Sequence, residues 1–102
     1  MFKTFLLNFL VSVPPNGLDR KTLQSYLDET REIKNWLSPY AGMVLIVCDS
    51  NTTATFLMEK IHSKFPQLKF AVVEMRSESS NGWVSKEFWE MLKNPIATGR
   101  WN

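Results

Sequence analysis

Cysteine, histidine, glycine and net charge are all scarce in this chain, and each scarcity removes a class of function. There is one cysteine, Cys48, in 102 residues, so no disulfide forms within the chain. Histidine also occurs once, as His62, and no Cys/His set therefore has zinc spacing. The four glycines, Gly17, Gly42, Gly82 and Gly99, stand singly among turns, where a phosphate-cradling loop would need them clustered. Twelve basic against ten acidic residues leave a formal charge of +2, without the clustered basic excess of a dedicated nucleic-acid-binding domain. No stretch approaches the roughly 18 uncharged apolar residues of a bilayer span.

What remains is an ordinary globular composition, 44% hydrophobic and 22% charged, at a length that suits one domain. Cys48 falls inside the apolar run Met43-Val-Leu-Ile-Val-Cys48, which reads as a buried, reduced thiol in a cytoplasmic compartment. The opening Met1-Phe-Lys-Thr-Phe-Leu-Leu-Asn-Phe-Leu-Val-Ser-Val13 raises a secretory leader as an alternative. Asn8 and Ser12 interrupt its apolar core and Pro14-Pro15 replaces the small-residue cleavage pattern, so it is read as a strand. Aromatic residues are plentiful at 13%, with four Trp and seven Phe. A domain this small leaves much of its surface exposed, and that apolar surplus predicts self-association, with a homodimer as the expected form and no membrane partner.

Between Phe5 and Val13 the odd positions are all apolar while the even ones mix Leu6 and Leu10 with Asn8 and Ser12. This alternation predicts a central strand with one core face and one semi-polar face, open or used for contact. Asp19 is placed to cap a helix carrying Leu23, Tyr26, Leu27 and Thr30. Arg31 to Pro39 either continues that helix or forms a short strand; the turn signal Ser38-Pro-Tyr-Ala-Gly42 favours a hairpin into Met43–Cys48. After possible caps between Asp49 and Thr52, the stripe Ala54, Leu57, Met58, Ile61 and Phe65 predicts an amphipathic helix. Leu68 to Met75 reads as a strand. Ser85 caps a short helix with Phe88, Trp89 and Leu92, which Asn94-Pro95 stops. Residues 1–93 thus form one domain, with 94–102 as a flexible tail anchored by Trp101 alone. The class is α+β, in the split ferredoxin-like order βαββαβ with an additional short C-terminal helix.

Three segments, Phe5-Leu-Leu-Asn-Phe9, Val44-Leu-Ile-Val-Cys-Asp49 and Gly82-Trp-Val-Ser-Lys-Glu-Phe-Trp89, set in that element order, resemble the SinR-type relatives of the small CRISPR-associated ferredoxin-like nucleases. The resemblance runs from about Phe5 to Leu92. It implies a ferredoxin-like fold, a homodimer joined through sheet edges, a place in antiviral defence, and in catalytic members a metal-dependent cut in RNA or DNA. Those members carry an aspartate near the end of the first strand, one per subunit, to hold the ion; here the matching position is Leu10. A magnesium or manganese ion needs paired oxygen ligands. The substitution therefore predicts a catalytically silent chain with no metal and no cofactor.

Asp19 and Asp49 are the weak candidates for a replacement catalytic ligand. Asp49 stands at the end of a central strand, where a helix cap explains it more simply. Asp28, Glu29 and Glu32, with Arg31 and Lys34 beside them, read as a charge-paired solvated surface, and His62 as a surface histidine. The candidate binding residues are Arg76, Trp83, Lys86 and Trp89, where indoles alternate with basic groups as in single-strand binders; the simpler reading has both indoles covering a sheet edge or dimer seam. The basic residues Arg20, Lys21, Lys60, Lys64, Lys69 and Arg76 form no run. The expected function is a homodimeric binding or assembly module whose partner is a protein or a nucleic acid. A metal-dependent endoribonuclease and a small phage-type regulator that binds a host protein stand as the two alternatives.

Overall fold

The structure, a computed structural model, describes residues 1–9 and 20–98. Four strands and three α-helices follow one another as β1 (Phe2–Phe9), α1 (Arg20–Glu29), β2 (Ile33–Tyr40), β3 (Met43–Asp49), α2 (Ala54–Lys64), β4 (Phe70–Met75) and α3 (Lys86–Lys93), with a single 3-10 turn at Ser77–Ser79. All strand pairs are antiparallel and the sheet order is β2-β3-β1-β4. The first strand therefore begins three residues before the alternation at Phe5 announces it. Its expected continuation through Leu10 to Val13 and the Asp19 cap lie outside the described residues, as do 99–102.

The segment with two readings is a strand. Tyr40 pairs with Met43 across the two-residue turn Ala41-Gly42. Gly42 has φ 87°, the only positive value among the described residues. A positive φ at the second turn position, which a side chain would oppose, is why glycine stands there. Register slips between Ile33 and Asn35 and again between Leu37 and Tyr40. These irregularities erase the period-2 pattern that would have marked β2 in the sequence.

Period-2 alternation decides which residues meet which layer. Phe5 and Leu7 of β1, with Val44, Ile46 and Cys48 of β3, face α1 and α2 and pack with Leu23, Leu27, Leu57 and Ile61. The opposite face is not simply semi-polar: Leu45 is fully buried there beneath Phe88 and Leu92 of α3, with Leu6, Leu37, Met43 and Met75 around them. Helices thus cover both faces. Val44 through Cys48 are consecutively buried, as a strand enclosed on two sides requires.

The caps explain where the helices start. Thr53, not Asp49, caps α2, its hydroxyl accepting from Phe56 N at 3.1 Å. Ser85 caps α3 as expected, accepting from Phe88 N at 3.4 Å. Past α3 the chain returns to the sheet. Thr98 N donates to Lys34 O at 2.9 Å, Thr98 Oγ1 to the same carbonyl at 3.0 Å, and Asn35 Nδ2 to Ile96 O at 3.1 Å. No helix among the described residues is long and apolar enough to cross a membrane.

If α3 is a structural layer, truncating the residue beneath it is costly. Leu45→Ala is expected to lose about 2–5 kcal/mol in urea unfolding. Val73→Ala, on the same sheet face but 55% exposed, is expected to lose under about 1 kcal/mol.

Candidate functional site

The four candidate binding residues lie in and around the passage from β4 to α3. Arg76 follows β4 directly; its Nε sits 3.6 Å from Glu74 Oε2, and its carbonyl accepts from Ser80 Oγ at 2.5 Å. With a second bond from Ser79 Oγ to the same carbonyl at 3.4 Å, this bond folds the Ser77–Ser79 turn back on Arg76. Lys86 opens α3 with a largely exposed side chain and lies 3.8 Å from Glu90 one turn on, a surface pair of small energetic value.

The two indoles part company. Trp89 is half-buried, edge-on to Phe88 at a ring separation of 5.1 Å, and packed on the second-face cluster. Its ring also backs Gly82, where an added Cβ would stand 3.7 Å away. Trp83 is fully exposed at 101%. Next to it Val84 packs on the cluster. The solvent-exposed indole forgoes about 2–3 kcal/mol of burial it would gain against an apolar partner. Trp89 thus covers a sheet face rather than an edge, while Trp83 covers nothing among the described residues.

The carboxylates that sequence reasoning weighed for chemistry are engaged in closing the fold. Asp49 Oδ2 lies 3.8 Å from Lys34 Nζ, whose side chain is only 12% exposed. The Asp49 side chain is 49% exposed, so the pair is a modest tie between β2 and β3, and Asp49 does not cap α2. Asp28 Oδ1 accepts from Trp36 Nε1 at 2.8 Å, joining α1 to β2. Glu32 reaches α2: its Oε1 lies 3.4 Å from Lys60 Nζ. That oxygen is shielded from solvent and makes no hydrogen bond, so the attraction is Coulombic, without alignment. His62 is exposed. Among the described residues no group of three or more His, Cys, Asp or Glu is arranged to hold a metal ion. Asp19 is outside them.

One gathering of charge escaped the sequence. An open groove of about 570 Å³ runs between α1 and α2, lined among others by Ser25, Tyr26, Arg31, Glu32, Lys60 and Lys64. Only the packing of the two helices brings Arg31 beside Lys60 and Lys64; the spacing of those lysines on α2 was the one legible part of it. Glu29 and Glu32 offset most of the positive charge, and Tyr26 OH is engaged by Lys60 O at 3.0 Å. The groove is therefore polar and balanced, without the convergence on one ligand charge that a phosphate or a metal would need.

Cys48 is buried as expected. Burial first, then the carboxylates of Asp49 and Glu32, push its thiol up from 9.0 to about 12, with Lys34 pulling the other way. A thiol so neutral is neither a nucleophile nor a metal ligand. No protein-family model matches this chain, and no curated protein or solved structure matches it either.

The Cys48 environment fixes the sign of a pH effect. The unfolded thiol titrates near 9.0 and the folded one near 12, so this contribution is intact below pH 9. Above it the unfolded chain sheds a proton that the fold retains, and stability falls. Urea midpoints from pH 7 to 10.5 are expected to drop more steeply for the parent than for Cys48→Ala; parallel slopes would refute the assignment. Asp49→Asn, which weakens an ion pair half open to solvent, is expected to cost under about 1 kcal/mol, read in the same unfolding assay.

Proposed function

We propose that this chain is a catalytically silent binding and assembly module with a ferredoxin-like arrangement, acting as a homodimer whose seam is the β4 edge and the sheet face beside it. The observation that carries the proposal is the exposed apolar surface on that side, where Val73 is 55% and Trp83 101% exposed. Val73 pairs with Leu6 across the sheet, on the face that α3 roofs farther toward β3.

The β4 edge suits pairing for a reason of charge. Edge strands are usually guarded by exposed charges, bulges or covering chain. In β4 the one charged residue is Glu74, and it is held between Lys3 Nζ at 3.8 Å and Arg76 Nε at 3.6 Å. Six residues of regular strand, Phe70–Met75, remain. Their pairing with a second copy, joined by burial of Val73, would extend the sheet across a twofold axis. Arg76, Trp83 and Lys86 would then flank the seam from both subunits and present aromatic and basic groups to a partner. Silence in catalysis is supported by Asp49, whose carboxylate is tied to Lys34, and by the apolar Leu10 at the position where the resembled nucleases carry their metal ligand.

Light scattering tests the first step. The chain is expected at about twice its 11.9 kDa mass, and Val73→Lys at the single-chain mass with unchanged circular dichroism. A parent that stays single at high micromolar concentration would overturn the proposal. The partner class is read by fluorescence anisotropy of labelled single-stranded RNA and duplex DNA at two salt concentrations, with and without manganese. Salt-sensitive binding weakened by Trp83→Ala and Lys86→Ala places a nucleic acid on this surface. A dimer that binds neither has a protein partner, and manganese-dependent cleavage would refute catalytic silence.

A further inference from the structure

The passage from β4 to α3 carries a dipeptide with a chemistry of its own. Asn81 is followed by Gly82; both are exposed, and neither belongs to a helix or a strand. Gly82 N donates to Asn81 Oδ1 at 2.8 Å. The bond holds a main-chain nitrogen against the side-chain amide of the preceding residue, whose Cγ carries the accepting oxygen. A nitrogen kept that close to a carbonyl carbon is an intramolecular nucleophile, because ring closure needs little further ordering. Asparagine is thermally labile for this reason.

The backbone does not demand glycine at 82. Among the described residues only Gly42 has a positive φ, and a Cβ at Gly82 would make an ordinary contact, 3.7 Å from the Trp89 ring. Glycine supplies instead an unshielded nitrogen with free rotation beside it. The other described asparagines are placed differently. Trp36 N donates to Asn35 Oδ1 at the same 2.8 Å, but that nitrogen belongs to a half-buried tryptophan inside β2, and Asn35 Nδ2 is bonded to Ile96 O. Asn8 is paired with β3 and with β4. Asn51 precedes buried, β-branched Thr52, and Asn94 precedes Pro95, whose nitrogen carries no hydrogen. Asn16-Gly17 lies outside the described residues.

We propose that Asn81 is a self-modification site, deamidating through a succinimide ring closed by Gly82. Gly82 N gives up its proton to solvent and bonds to Asn81 Cγ; the Cγ–Nδ2 bond breaks and ammonia leaves. Water then opens the ring at either carbonyl, leaving aspartate or isoaspartate at position 81. Water is the only co-reactant. Either product sets a new carboxylate beside the exposed Trp83 and near Lys86 at the start of α3. Isoaspartate also lengthens the main chain by one carbon, at the point where Gly82 meets Trp89. The reaction thus changes charge and backbone on this surface with time, whether or not the β4 seam forms.

The test incubates the full chain at mildly alkaline pH, digests it, and follows the peptides by mass spectrometry after chromatography that separates aspartate from isoaspartate. The Asn81 peptide is expected to gain the mass of an amide-to-acid conversion, with isoaspartate in excess, while the Asn35, Asn51 and Asn94 peptides keep their amides. The peptide with Asn16-Gly17 is read separately. Gly82→Ala, which the space beside Trp89 admits, is expected to slow the conversion at least roughly tenfold with unchanged circular dichroism. An Asn81 peptide that keeps its amide as long as the Asn35 peptide does overturns the proposal. Conversion to aspartate alone, at one rate in the parent and in Gly82→Ala, overturns it too, because that is direct hydrolysis by water. Should Gly82→Ala fail to fold, the products of the parent decide, since only the ring yields isoaspartate.

Discussion

The structure depends on enclosing β3 from both sides. Five residues in succession, Val44 to Cys48, are removed from water, and a pleated strand points them alternately to opposite faces. A single helical layer would satisfy Val44, Ile46 and Cys48 and leave Leu45 and Val47 wet. A second layer is therefore obligatory, and over Leu45 α3 supplies it through Phe88 and Leu92. This makes the short last helix part of the core. It also explains the strength of its amphipathic pattern, since eight residues must deliver a whole covering face.

One helix of that length cannot roof four strands. It covers the region around Leu45, with Leu37 on one side and Leu6 and Met75 on the other, and the outer part of β4 stays open at Val73. The unevenness follows from the dimensions: eight residues at about 1.5 Å rise span about 12 Å, whereas four strands at about 4.8 Å spacing are wider than one helix diameter can cover. The open surface on this side is thus a by-product of how β3 is buried.

Some of this was legible in the sequence. The Gly42 turn, the Ser85 cap and the α2 stripe each rest on local rules, because a positive φ, a capping hydroxyl and a helical period are properties of a few adjacent residues. The β2 strand was legible from its turn rather than its own pattern, which two register shifts obscure. The fate of Asp49 was not legible, because Lys34 becomes its neighbour only when β2 lies beside β3. Trp83 and Trp89 looked equivalent in sequence; what divides them is that Trp89 lies on the apolar side of α3, whereas Trp83 precedes the helix and is bound by neither period. Convergence of Arg31 with Lys60 and Lys64 likewise belongs to helix packing.

The two sheet edges show how the same liability is handled by different means. On β4 no described strand pairs with the outer edge, which is regular, and its one carboxylate lies between Lys3 and Arg76. On β2 the strand is broken by two irregularities and Pro39, and at the first of them Lys34 O and Asn35 Nδ2 are bonded to Thr98 and Ile96. A chain selected only to remain single would guard both edges alike. Here one edge is met by the chain itself while the other keeps six ordered residues beside exposed Val73, and it is on that difference that the proposed β4 seam rests.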